Sequence, residues 1–221
     1  MDWLAIFRVD EVPEPTREQL TLTGWLALFK DRLEASQKGR APEPFAKFTG
    51  GKRRKVDWKR FFRLDDVPET QRAAMDFARW EKHFKDKHER LEKAEKNLSS
   101  LRKSLDKQPD SVAARAELGE ALELTGSLEE AARLFSENAR ALDGDGLFLK
   151  AIRFVERSLR CVEYQPEAWL RLGSLQESLG HFGDAEATYG KLLALAQARN
   201  DSPVAQRCEA ALARVRVMMG S

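Results

Sequence analysis

Few residues in this chain combine the type and spacing that chemistry needs. His83 and His88 are five apart, a spacing that turns them to different faces of a helix, so they do not form the paired imidazoles of a metal site; His181 stands alone beside a turn. Asp143-Gly144-Asp145-Gly146 has the start of a calcium loop but not its downstream ligands. Cys161 and Cys208 lie far apart inside helical patterns and read as buried reduced thiols. No Ser or Cys sits in a nucleophile-elbow context, no glycine-rich phosphate loop follows a strand, and Glu129-Glu130 reads as a helix-start pair. The residue types predict no enzyme, no metal and no cofactor, and they direct attention to recognition.

The recognition candidates come in duplicate. Asp2-Trp3, Phe7-Arg8, Asp10, Val12-Pro13-Glu14, Arg17, Trp25, Phe29-Lys30-Asp31 and Glu34 return fifty-five positions later as Asp57-Trp58, Phe62-Arg63, Asp65, Val67-Pro68-Glu69, Arg72, Trp80, Phe84-Lys85-Asp86 and Glu89. This is a duplicated module, with copies at 2–34 and 57–89. In each, the Trp and Phe are spaced i,i+4, which puts both rings on one side of a helical turn. Trp3, Phe7 and Asp10, with Trp58, Phe62 and Asp65, are therefore candidate partner-binding residues, either as an exposed surface or as the core of two copies packed face to face.

The elements that must position them are helices. Asp10-Glu11-Val12-Pro13-Glu14 and Asp65-Asp66-Val67-Pro68-Glu69 read as helix starts, with Asp66 and Glu69 at capping-box spacing. The first copy then shows an apolar stripe of Leu22, Trp25, Leu26, Phe29 and Leu33 ending near Ser36. In the second copy Phe77, Phe84, Leu91, Leu98 and Leu105 are spaced by seven, with Trp80, Ala94 and Leu101 three residues on, which predicts one helix over roughly 69–107. Such a seam either packs within the chain or makes a homodimer through the long helix; Lys87 at a seam position counts against the dimer. Between the copies, 36–56 is a linker with Pro42, Pro44, Gly50-Gly51 and the basic patch Lys52, Arg53, Arg54, Lys55, near Phe45, Phe48 and Trp58.

Beyond the long helix the expected second domain, 109–221, carries six short helices: Val112–Leu124, Leu128–Leu142, Leu147–Val162, Ala168–Leu179, Gly183–Gln197 and a last one to about Met218. With strand-like alternation absent, the fold class is all-α. Two of the hairpins resemble tetratricopeptide repeats over about 110–199: Leu118-Gly119, Leu122, Gly126, Ala131, Phe135, and Trp169, Leu172-Gly173, Gly180, Ala185, Tyr189. Gly119 or Gly173 and Ala131 or Ala185 would let paired helices approach closely, while Phe135 or Tyr189 would wedge between successive hairpins. Arg115, Asn138 and Leu192 depart from the family's usual residues. The copies stand fifty-four apart rather than thirty-four, because a third helix intervenes; 150–159 resembles the second helix of a repeat whose first is lost or absorbed.

What the resemblance implies is a short irregular array whose concave face, lined by first helices, binds peptides or partner helices. Carried over by position, that groove is Ala113, Ala116, Glu120, Glu123 and Leu124, then Glu167, Leu170, Ser174, Glu177 and Ser178. Its acids would favour a basic peptide or helix as protein partner, or they are a solvated helix face. The family's Lys/Asn/Arg clamp for a C-terminal carboxylate is missing.

Charge divides the chain. Residues 1–108 carry 25 Lys+Arg and 19 Asp+Glu, a net of +6; residues 109–221 carry 13 and 17, a net of −4, recovering the total of +2. That is too weak an asymmetry to diagnose nucleic-acid binding. No apolar stretch approaches the eighteen residues of a membrane span, and Asp2 and Arg8 interrupt the place of a signal peptide, so the expected location is cytoplasmic. The function these features predict is a non-enzymatic interaction scaffold or adaptor. A small tetratricopeptide-type chaperone for a secreted or aggregation-prone partner is one alternative. Nucleic-acid binding through the basic linker is another, and a salt-sensitive shift of a generic oligonucleotide would reveal it.

Overall fold

A computed structural model describes residues 2–49, 56–64 and 67–220. The chain folds into two compact units that divide at Glu92/Lys93, inside the long helix rather than at its end. Among the described residues every regular element is helical.

In the first unit each copy opens with one helical turn, α1 (Trp3–Ile6) and, in the second copy, α4 (Trp58–Phe61). Asp2 and Asp57 cap these turns, accepting from Ala5 N at 3.0 Å and Arg60 N at 3.1 Å. Short helices follow, α2 (Glu14–Arg17) and α5 (Glu69–Ala73), each entered through a proline, Pro13 and Pro68, with φ near −55°. The expected Asp/Glu helix starts give way to these prolines, and neither start carries a side-chain cap; Asp65 and Asp66 lie outside the described residues. Then come the long helices, α3 (Leu22–Lys38) and α6 (Phe77–Lys107). Thr21 caps α3 and Gly39, at φ 63°, ends it. The single helix expected over 69–107 is thus two: the chain breaks after Ala73, and Asp76 restarts it by accepting from Arg79 N at 2.8 Å. A 3₁₀ turn, Phe45–Phe48, lies against α3 at Gly24, where an added Cβ would strike the Phe48 carbonyl.

The second unit begins with the end of α6 and continues through α7 (Val112–Thr125), α8 (Leu128–Gly144), α9 (Phe148–Cys161), α10 (Pro166–Ser178), α11 (Phe182–Ala198) and α12 (Ser202–Gly220). The starts of α7, α8 and α9 recur fifty-four residues later as the starts of α10, α11 and α12. Turn geometry repeats with them. Gly126 and Gly180 adopt φ of 90° and 75°, and Gly146 and Asn200 adopt φ of 73° and 56°. Leu147 N donates to Leu142 O at 2.8 Å, as Asp201 N does to Ala196 O at 2.9 Å. The unit of repetition is therefore three helices: α9 is no remnant of a lost hairpin but a third helix, and α12 is its counterpart.

Within each repeat the first two helices close over a glycine. A Cβ at Gly119 would stand 2.7 Å from the Phe135 ring, and one at Gly173 would collide with Tyr189. The rings expected between hairpins thus lie across their own hairpin, although Phe135 also reaches Phe154 of α9 at 6.1 Å. The departures at Arg115 and Asn138 are one interaction, Arg115 Nη1 donating to Asn138 Oδ1 at 3.3 Å; fifty-four residues on, their places are taken by Trp169 and Leu192, both in the apolar core. Leu98, Leu101 and Leu105 of α6 pack on the Leu118–Leu122–Phe135 cluster, so the heptad seam of this stretch is covered by the chain's own helices.

Candidate functional site

The duplicated rings do not form an exposed surface. Trp3 (8% exposed), Phe7 (5%), Trp58 (5%) and Phe62 (3%) are core, which corrects their assignment as a binding face. Each leading turn packs on the long helix of the other copy: Trp3 meets Trp80 at 6.3 Å, and Trp58 meets Trp25 at 6.2 Å. Phe7 sits edge-on to Phe84 at 5.2 Å and Phe62 edge-on to Phe29 at 4.9 Å. The crossed set is completed by Phe7–Phe29 at 5.0 Å and Phe62–Phe84 at 4.9 Å, so four phenylalanines surround a pseudo-twofold axis. Edge-to-face pairs at these distances add about 0.5–1.5 kcal/mol each to the area they bury.

Cations hold the two turns in matching fashion. Arg32 Nη1 donates to the carbonyls of Arg8 at 2.5 Å and Ile6 at 3.3 Å, and Lys87 Nζ, fifty-five residues on, donates to the carbonyl of Phe61 at 2.7 Å. Burial lowers the Arg32 pKa, against the upward pull of Glu11. Of the polar candidates in this unit, Asp10 is exposed and pairs with Lys59 at 3.1 Å, and Asp65 lies outside the described residues. The basic patch Lys52, Arg53, Arg54 and Lys55 also lies outside them.

In the second unit the ten groove candidates do fall on α7 and α10, but the groove charge is already answered. Arg157 of α9 donates to Glu120 at 2.5 Å and Glu123 at 2.8 Å. Arg207 and Arg214 of α12 reach Glu167 at 2.6 Å and Glu177 at 2.7 Å. All four acids thus belong to ion pairs, each within its own repeat, which corrects both the acidic groove expected to favour a basic ligand and the merely solvated helix face. Hydrogen bonding from Arg207 draws the Glu167 carboxyl below its ordinary pKa, and that from Arg214, with Tyr189, does the same for Glu177. Burial and the bond to Glu177 push the Tyr189 phenol up. Burial pulls Arg157 down, but its bonds to the two glutamates prevail and raise it. Leu170 packs into the core, Ser178 Oγ donates to Ser174 O at 3.0 Å, Ala113 is exposed, and Ala116 and Leu124 are half-buried.

The recess of this unit lies elsewhere, between α8, the end of α9 and the start of α10. A hollow of about 510 Å³ is lined by Ser136, Arg140, Val155, Gln165, Glu167 and Arg171, and it runs into a second of about 310 Å³ that shares Ser136, Arg140 and Gln165. Only Glu167 of the ten groove candidates lines it. Its floor is a polar network in which Gln165 Nε2 donates to the carbonyls of Ser158 and Val162 at 2.9 and 2.7 Å, and Ser136 and Ser158 hydroxyls meet at 2.9 Å.

The residues weighed for chemistry lie as follows. His83 stands edge-on to Trp80 at 5.8 Å, His88 lies 3.9 Å from Glu92, Asp143 accepts from Arg171 at 2.5 Å, and both cysteines are buried. No helix among the described residues is long and apolar enough to cross a membrane. Compared with known proteins, the sequence matches no family model and no curated protein.

Proposed function

We propose that this protein is a non-enzymatic interaction scaffold that holds a segment of another protein against its carboxy-terminal three-helix repeats, in the manner of tetratricopeptide-like arrays. The observation that carries the reading is the fifty-four-residue repeat itself, with equal helix starts and equal turn conformations in both copies. Stacked helical repeats bury a continuous core and present an extended side surface, the form that suits an extended or helical ligand. The open recess between α8 and α10 supports the same reading.

The test is recovery of partners by the tagged full-length chain, with mass spectrometry, in moderate salt and after nuclease treatment. A discrete protein partner that survives both is expected. Recovery of nucleic acid alone, sensitive to salt, would turn the assignment to the linker's basic run, and recovery of nothing would sink it.

A further inference from the structure

The two repeats treat their third helix differently, and the difference outlines a binding surface. At 3.6 residues per turn, Leu149, Lys150, Arg153, Arg157 and Arg160 fall on one face of α9. On α12 the counterparts of Arg153 and Arg160 are Arg207 and Arg214, each neutralised by a glutamate of α10. In the first repeat those acids are short. Ala113 stands at the place of Glu167, and Glu123, at the place of Glu177, is taken by Arg157. Lys150, Arg153 and Arg160 are exposed, and none makes an ion pair or side-chain hydrogen bond among the described residues.

A second departure sits at the start of the same helix. Asp201 caps α12 through Val204 N at 3.3 Å and accepts from Tyr164 at 2.6 Å, whereas its counterpart in the first repeat is Leu147. No side chain caps α9, and Leu147 (42%) and Leu149 (65%) are exposed. Cap and counter-ions are thus missing together in one helix, and exposed leucine surface is added at its start.

We infer that this face of α9 docks an acidic protein segment, whose carboxylates meet Lys150, Arg153 and Arg160 and whose apolar residue covers Leu149. The inference rests on the scaffold reading above and reverses the charge expected of the partner. The segment supplies to the first repeat what Glu167 and Glu177 supply to the second: carboxylates ten residues apart, within one helical face. A protein segment fits better than a phosphate backbone, because Leu149 flanks the cations and a peptide, unlike a phosphate backbone, can set an uncharged residue opposite Glu156, which is exposed beside Arg153 and Arg160.

The probe is a fluorescein-labelled peptide of glutamates with leucines at one end, titrated with the full chain by fluorescence anisotropy. The expected result is saturable binding that weakens as salt rises, about tenfold weaker for R153E/R160E and about threefold weaker for Leu149→Ser. Lys30→Glu, an exposed charge of the other unit, is expected to bind as the parent chain does. Binding unchanged in R153E/R160E, with circular dichroism showing that variant folded, overturns the surface. So does tighter binding of a single-stranded oligonucleotide or a phosphatidylserine vesicle that the same variant abolishes. Full retention by R153E/R160E of the partner recovered in the pull-down removes this surface and leaves the scaffold standing. Absence of any recovered partner removes the scaffold, while a peptide response that follows the variants still assigns the face.

Discussion

Both halves of this chain are built by duplication, and they use it in opposite ways. The amino-terminal copies exchange contacts: the ring of one leading turn finds its partner on the long helix of the other, so duplication closes on itself and consumes the surface it doubled. The carboxy-terminal copies each close internally, Phe135 over Gly119 and Tyr189 over Gly173, and are then placed in tandem. A closed pair holds its equivalent positions alike, because each answers to its counterpart. A tandem array lets them diverge, and in divergence a surface such as that of α9 can arise.

Breaking the closed pair should have the largest effect. Phe7→Ala and Phe62→Ala are each expected to cost about 3–5 kcal/mol of stability by urea denaturation, agreeing within about 1 kcal/mol. Because Phe7 and Phe62 share Phe29 and Phe84 as neighbours, the double variant should depart clearly from additivity; additive costs would count against the crossed arrangement. Next come the matched cations. Arg32→Leu abandons two carbonyls and should lose about 2–3 kcal/mol, against about 1 kcal/mol for Lys87→Leu, which abandons the Phe61 carbonyl.

The tandem repeats predict smaller and less equal losses. Gly173→Ala and Gly119→Ala would each gain up to about 1 kcal/mol in helix propensity but must displace a ring. The net expectation is a loss of about 1–2 kcal/mol, greater at Gly173, where the Tyr189 hydroxyl is tied to Glu177 at 2.6 Å. Equal losses would remove the distinction between the copies. The smallest effect is acid dependence. Glu167 and Glu177 have folded pKa values depressed below the ordinary 4.5, so their contribution is present above that value and is lost as pH falls through the lower folded value. Glu177→Gln should therefore lower the stability measured by thermal unfolding near neutrality and flatten its fall below pH 4.5, so that variant and parent converge in acid.

Much of this was legible in the chain. The fifty-five-residue duplication shows because the crossed ring layer demands the same large side chains twice, and helix ends show where Gly39, Gly126 and Gly180 adopt positive φ. The third helix of the other repeat was harder to place. Beyond Ala151/Ala205, Arg153/Arg207 and Arg160/Arg214, α9 and the aligned part of α12 share no identical residue, and the matching turns use Gly146 in one copy and Asn200 in the other, since both tolerate the left-handed conformation. The fate of the groove acids was not legible at all. Glu120, Glu123, Glu167 and Glu177 are answered by arginines thirty-four to forty positions away, and local spacing carries no sign of such partners. The break at Ala74–Asp76 was hidden because the helix start read at Asp66 and Glu69 runs on, with no Gly or Pro in 70–76, into the seven-spacing that begins at Phe77.

The unlike outer faces of α9 and α12 also give the array a direction of growth. α9 is apolar toward both its own repeat and the next, with Phe154 in two cores, whereas on the outer side of α12 Gln206, Glu209 and Arg216 stand exposed around Val217. An extra copy of residues 112–165 inserted after residue 165 would thus find a neighbour on either side and lengthen the stack. An extra copy of 166–219 added behind α12 would meet Gln206, Glu209 and Arg216, with little apolar surface to cover beyond Val217.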